Sequence, residues 1–327
     1  MLGRFFYFIS SLLFLISAFI FLSPVLLTPD LIYPVRIDST YITFHAKIKK
    51  NNTDSLLLNP MYVGLKFSEI KITTSDDLQL NGWFVPAEDS LSNTIMIFHD
   101  LNESKILYID HIKQFHDRGF NVCAFDLRAH GNSGGNEFTP GLPALDDAVQ
   151  MIDSVMAKKN TKHLVLMGIG VGAAIALQAA VYDPRCKALI LQNPFNSFEN
   201  YIDRFAKSKW GIMKNIWFPV LKRRTTELLQ YPLKELDLTV ITTYTDLPSL
   251  FIIGSNDEKL ITSETLQVYD AAVTEKKELF LVRNVNNQNI AKAGGELYYN
   301  RITAFLNSTL PKVQNKTRYK KLALNDF

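Results

Sequence analysis

The stretch most able to do chemistry is Gly168-Ile-Gly-Val-Gly172. It follows the apolar run His163 to Met167 and precedes an Ala-rich segment that reads as an amphipathic helix. Strand, tight glycine turn and helix make a nucleophile elbow, in which G-x-S-x-G lifts a serine above a parallel sheet. Here the middle position is Gly170, so the frame is present and the attacking oxygen is not. With Ala173, the same glycines satisfy G-x-G-x-x-G/A, the dinucleotide fingerprint. That motif needs an acidic residue about 20 positions further on, at the end of the next strand. Leu191 and Gln192 stand there instead, and several strands precede the motif. A turn packed tightly against its helix explains the glycines better than a dinucleotide does.

The elements that must position this turn are legible as periodicity. Phe67–Thr73 and Leu78–Val85 alternate apolar and polar residues around the turn Ser75-Asp76-Asp77, which predicts an antiparallel hairpin. Thr94–Phe98, Asn121–Phe125, the elbow strand, Ala188–Leu191, Ser249–Ile253 and Leu279–Val282 are short apolar runs suited to strands buried on both faces. Helices are expected near Lys105–Arg118, Pro143–Lys158, Ser263–Val273 and Gly295–Leu306. Strand–helix alternation after a hairpin predicts one α/β domain with a mostly parallel sheet. Between Phe195 and Pro248 the alternation stops. The aromatic and basic residues there, Trp210 and Trp217 among them, predict a helical cap insertion at about 196–247.

The chain has 327 residues, 47% of them hydrophobic, and a formal net charge of +3, ample for a core and too weakly basic for a dedicated nucleic-acid surface. Phe5 to Leu27 contains no charged residue. At ~1.5 Å per residue it is long enough for a hydrocarbon core of ~30 Å and longer than a secretory h-region of about 7–15 residues. It predicts an uncleaved transmembrane anchor (residues 1–27), a signal-anchor placing the body on the extracytoplasmic side. Residues 28–66 read as a linker, 67–308 as the α/β domain, and 309–327 as a basic tail. Cys123 and Cys186 fall in strands that the expected sheet order separates by three positions. That is about 14 Å at ~4.8 Å per strand, beyond the ~7 Å Cα reach of a disulfide.

Taken together, these runs resemble the α/β-hydrolase superfamily, in its membrane-anchored serine-peptidase-like or lipase-like branch. The entry hairpin, Gly119–Gly134 with its Asp126-Leu-Arg-Ala-His-Gly131 loop, the elbow, Asp183–Phe195 and Phe251–Asp257 carry the likeness over about residues 60–308. The resemblance implies an α/β-hydrolase fold: a mostly parallel central sheet, flanking helices and a small helical cap. It also implies a catalytic triad, and the chain departs from it. Gly170 holds the nucleophile position and Asp257 the acid position. Asn287, with Gln288 as the nearest alternative, holds the histidine position; all six histidines lie upstream of the acid. Leu101 and Val171 are the implied oxyanion-hole donors. The usual His-Gly before them is His99-Asp100 here, and a carboxylate beside the hole opposes the charge that develops in acyl transfer.

Losing a whole triad costs about 10⁶-fold in turnover, so two missing members argue against ordinary ester or peptide hydrolysis. The expectation is a membrane-anchored pseudoenzyme that binds an apolar small molecule or a protein partner near Asp100, Trp210 and Trp217. It carries no cofactor, no metal and no nucleic acid. The alternative is an active esterase, lipase or peptidase that works through non-standard residues such as Asp100, Asp257 and His130.

Overall fold

The computed structural model describes residues 2–27, 32–48, 56–229, 232–255, 259–285 and 289–311. Its centre is an eight-stranded sheet in the order β1-β2-β4-β3-β5-β6-β7-β8. The strands are β1 (Ser68–Thr73), β2 (Gln79–Val85), β3 (Ser92–Phe98), β4 (Asn121–Phe125), β5 (Thr161–Ile169), β6 (Cys186–Gln192), β7 (Ser249–Gly254) and β8 (Lys277–Val282). β1 and β2 form the antiparallel hairpin, β2 pairs antiparallel with β4, and the remaining pairs are parallel. Cys123 and Cys186, on β4 and β6, are both buried free thiols.

The helices are α1 (Leu2–Leu27), α2 (Ser39–Ile48), α3 (Ile109–His116), α4 (Leu142–Met156), α5 (Val171–Tyr182), α6 (Phe198–Trp210), α7 (Lys214–Leu229), α8 (Leu238–Ile241), α9 (Lys259–Ala271) and α10 (Ile290–Thr309). Alternate residues of the buried strands feed two cores. Met96 and Phe98 of β3 face α4, α5, α9 and the cap, whereas Ile95 and Ile97 face α3 and α10. The cap is α6 and α7 with the short α8 behind them. One expectation changes: α5 is not amphipathic. Every residue from Val171 to Ala180 is buried, because the helix lies between the sheet, α4 and the cap.

The segment expected as a linker is in part a strap. Ile32 is buried in the core and its carbonyl accepts from Phe138 N at 2.7 Å. Val35 N donates to Asn102 Oδ1 at 2.8 Å, and Arg36 donates to the carbonyls of Gly131, Ser133 and Gly135. These bonds tie the N-terminal approach to the loops above the sheet.

α1 runs unbroken for 26 residues. Phe5, Phe6, Phe8 and Phe14 on it are each more than half exposed. Its side chains are described only for Gly3 to Phe19 and Leu22. Among the described residues, no helix is long and apolar enough to cross a membrane.

Two buried ion pairs hold the loop after β4. Arg128 reaches Asp147 through Nε and Nη2 at 2.7 and 2.8 Å, and Asp76 through Nη1 at 2.8 Å. Lys105 pairs with Asp126, both side chains being almost fully buried. Asp126 also accepts from Lys105 N at 2.9 Å and from Asn132 N at 2.8 Å. Removing one partner of such a pair strands a buried charge. Lys105→Met is therefore expected to lower unfolding stability by about 3–5 kcal/mol. Chemical denaturation of the native chain and the variant measures this; a loss under about 1 kcal/mol would show that water reaches Asp126.

Candidate functional site

Sheet register assembles the site. Phe98 of β3 pairs with Gly168 of β5, and Ile169 pairs with Gln192 of β6. Asp100 and Gly170 each lie two residues past a paired position on adjacent parallel strands, so their loops emerge side by side. The turn between β5 and α5 is an elbow. Gly170 sits at φ 55°, ψ −114°, a conformation that favours glycine, and its N–H donates to Gln192 O at 2.9 Å. Gly168 and Gly172 are required by close approach. A Cβ on Gly168 would overlap Gly172 and Ala173, and one on Gly172 would overlap the Phe98 and His99 carbonyls. Packing thus accounts for the glycines that also fit the dinucleotide pattern.

Asp100 fills the elbow. Its Oδ1 accepts from Val171 N and from Leu101 N, both at 2.8 Å. These are the two backbone donors expected to form the oxyanion hole, and they converge on one carboxylate oxygen. The carboxylate also stands at the N-terminus of the twelve-residue α5, where helix N–H groups and dipole favour negative charge. A Cβ at position 170 would overlap the Asp100 carboxyl group itself. The sequence-level expectation put the carboxylate beside the hole; the structure puts it inside. Burial, and then the neighbouring Glu103 carboxylate, push Asp100 up to about 7, against the pull of the two backbone hydrogen bonds.

His99 and His130 support the loops. The Nε2 of His99 accepts from Leu127 N at 3.0 Å and its Nδ1 donates to the Asp100 carbonyl at 2.7 Å. The Nε2 of His130 accepts from Asn102 N at 3.2 Å and its Nδ1 donates to the Arg128 carbonyl at 2.8 Å. Burial pushes the two imidazoles down to about 4 and about 3, so both are neutral. Neither has a nitrogen left for proton transfer. Asp257 and Asn287, the expected acid and histidine positions, lie outside the described residues, as does Gln288.

A cavity of about 890 Å³ opens from the elbow between α3 and α10. Asp100, Leu101 and Gly170 line it, together with Glu103, Tyr108, His111 and Asn193, residues that the sequence did not single out. Trp210 and Trp217, expected as cap or pocket residues, lie on the cap helices α6 and α7 and not among the residues lining this cavity. They pack edge-on to each other at 5.2 Å between centroids, and Trp217 meets Phe19 of α1 at 6.0 Å. The Trp217 indole joins the cap to the N-terminal helix.

Residues 89–234 match the family model "Serine aminopeptidase, S33". The uncharacterized membrane protein YNL320W of Saccharomyces cerevisiae is 27% identical over 221 residues, covering 66% of this chain and 72% of that one. The solved esterase Pf2001 of Pyrococcus furiosus superposes with a TM-score of 0.65 at 20% identity, over 77% of this chain and 95% of that one. GrgF, an alpha/beta hydrolase from Penicillium, superposes with a TM-score of 0.58 at 21% identity, over 75% and 99%. The chain has the α/β-hydrolase fold, and its residues 89–234 are similar to that serine aminopeptidase family. Against that likeness, the filled hole is signalled in the sequence by a paired exchange. A carboxylate stands where the third-strand loop resembles a glycine position, and a glycine stands where the elbow resembles a serine position.

Two predictions follow from the overlap. Gly170→Ser alone is expected to destabilise the fold by about 1–3 kcal/mol, as overpacking does. Adding Asp100→Gly should recover most of that loss, a coupling on the order of 0.5–3 kcal/mol in a double-mutant cycle. Additive effects would show that the carboxyl group moves freely aside. The second concerns pH. Between the ordinary carboxyl value of 3.8 and about 7, folded Asp100 holds a proton that the unfolded chain has released. It therefore makes stability fall as pH rises through that window. The buried imidazoles act oppositely and are common to both proteins. Asp100→Asn should accordingly lose less stability than the native chain from pH 4 to 7, and parallel curves would refute the assignment.

Proposed function

We propose that this protein is a membrane-anchored α/β-hydrolase-fold protein that no longer hydrolyses esters or peptides at its elbow and instead binds a ligand or partner. The observation that carries this reading is the position of Asp100: one carboxylate occupies both the oxyanion hole and the room of a nucleophile side chain. An acyl-transfer site needs those donors free for the oxyanion and an oxygen to attack with. Here the donors are engaged, and Gly170 offers no oxygen. Anchoring rests on α1, whose 26 residues at ~1.5 Å each exceed the ~30 Å hydrocarbon core. The description of the yeast relative as a membrane protein supports it. This reading puts the body on the extracytoplasmic side, as is usual for a lone N-terminal anchor.

A second reading has one observation in its favour. A carboxyl group held near 7 at an elbow matches the requirement for a general base at neutral pH. In that case Asp100 would activate water toward a substrate in the cavity.

Hydrolysis of p-nitrophenyl butyrate and palmitate by the full chain in detergent separates the two. The pseudoenzyme reading expects no turnover above background, whereas Asp100→Gly/Gly170→Ser/Asn287→His gains measurable turnover. The earlier requirement of position 170 for space makes the Asp100 change a necessary part of that restoration. Native turnover that Asp100→Asn abolishes would overturn the pseudoenzyme reading in favour of the base.

A further inference from the structure

The cap and α1 meet at a point that fixes how deep the cap can sit in a bilayer. From Phe5 to Ser17 every side chain of α1 except Ile9 is exposed, so the body leaves this stretch free. Further on, α1 packs on α7, where Trp217 meets Phe19 edge-on at 6.0 Å. Arg4 is the charged side chain that precedes the uncharged run, and Phe19 lies 15 residues beyond it. At ~1.5 Å per residue that is ~22 Å, and a hydrocarbon core is ~30 Å thick. With Arg4 at the far boundary, Phe19 stops ~8 Å short of the near one. α7, which touches Phe19, is drawn to that depth.

The cap has the surface for such a place. Trp210 packs against Trp217 at 5.2 Å, and tryptophans gather where hydrocarbon meets headgroups. Ile212, in the turn between α6 and α7, is 95% exposed, and Ile216 is 45% exposed. Neither belongs to either core. Lys207 and Lys209 are exposed in the last turn of α6, just before that turn.

Charge is complementary as well. Residues 198–229 carry seven lysines and arginines against three acids, whereas the whole chain has a net charge of only +3. The cap therefore holds more net positive charge than the entire molecule. Its acids are already paired inside it: Glu199 with Lys222, Asp203 with Lys214 and Glu227 with Arg223. What is left over is positive. A second copy of the chain would set this charge against itself, whereas phospholipid phosphates attract it.

We propose that the α6–α7 turn is bedded in the headgroup boundary of the bilayer that α1 enters, with Ile212 and Ile216 against acyl chains and Lys207 and Lys209 facing phosphates. This rests on the reading of α1 as a membrane anchor. An interfacial segment sinks its apolar side ~5–10 Å below the boundary, which agrees with the depth set by Phe19.

A nitroxide attached through Ile212→Cys reads that depth, using the full chain in nanodiscs of phosphatidylcholine and phosphatidylglycerol. Cys123 and Cys186 are 0% and 1% exposed, so the label goes to the new thiol, and the native chain treated alike is the blank. Phe14→Cys places the label on α1 at a residue 73% exposed. Tyr182→Cys, 67% exposed at the end of α5, is the reference for water. Oxygen collisions report hydrocarbon, and collisions with a water-soluble nickel chelate report solvent. The Ile212 label is expected to lose most of the nickel collisions seen at Tyr182 and to gain oxygen collisions. Lys207→Glu/Lys209→Glu should reverse that shift. Thermal unfolding of each variant confirms that it is folded.

An Ile212 label as open to nickel as the Tyr182 label, with Phe14 in hydrocarbon, would overturn this proposal and leave the anchor standing. Phe14 open to nickel with Ile212 in lipid would overturn the anchor and support the docking of the cap. Both open would overturn both. Loss of nickel collisions at Ile212 without a gain in oxygen collisions would mark a second copy on this face and overturn the proposal. A shift that survives the charge reversal would overturn the assignment of the two lysines to phosphates.

Discussion

Two hydrogen bonds to one oxygen govern the site. Asp100 Oδ1 accepts from Leu101 N and Val171 N, and everything notable about the elbow depends on those contacts. The Val171 contact exists because α5 begins immediately after Gly170, leaving its first amide without a partner inside the helix; the Leu101 contact is local, from the residue that follows Asp100 in its loop. In a hydrolase of this fold such amides await a transient oxyanion. Here the Val171 amide is satisfied by a residue of the neighbouring loop, at the N-terminal end of a helix.

The same device occurs twice. Gly131, at φ 46°, leaves room for the Asp126 carboxyl, which would overlap a Cβ there. Gly170, at φ 55°, leaves room for Asp100 in the same way. The two environments then diverge. Asp126 has Lys105 as a buried counter-ion and serves as a loop anchor. Asp100 has backbone dipoles and a second carboxylate nearby, and burial pushes it up to about 7. Partner, rather than residue type, separates a structural carboxylate from one available to a ligand.

The periphery positions this centre. Arg36 and Ile32 bind the chain's approach to the loops above the sheet, while Trp217 contacts Phe19 of α1. The cap is thereby joined to the N-terminal helix and not only to the sheet.

The sequence by itself determined the strands, the glycine turn with Gly170 at its centre and the uncharged run that forms α1, because these follow from local periodicity, composition and glycine's backbone freedom. The hairpin, the order of elements and the separation of Cys123 from Cys186 were readable for the same reason. The burial of α5 on all sides was not, since a helix enclosed by sheet, helix and cap has no polar face to betray its depth. Asp100 was legible as a departure, yet its seat inside the hole was not. That seat depends on Phe98 pairing with Gly168 across two parallel strands, a register set by the whole sheet. Glu103, His111 and Asn193 became site residues only when α3, α10 and the loop after β6 met around one cavity. Trp210 and Trp217 were legible as cap aromatics, but that Trp217 meets Phe19 of α1 depends on contact between distant segments. Local chemistry is written along the chain; which groups face one another is decided by contacts between segments that are distant in it.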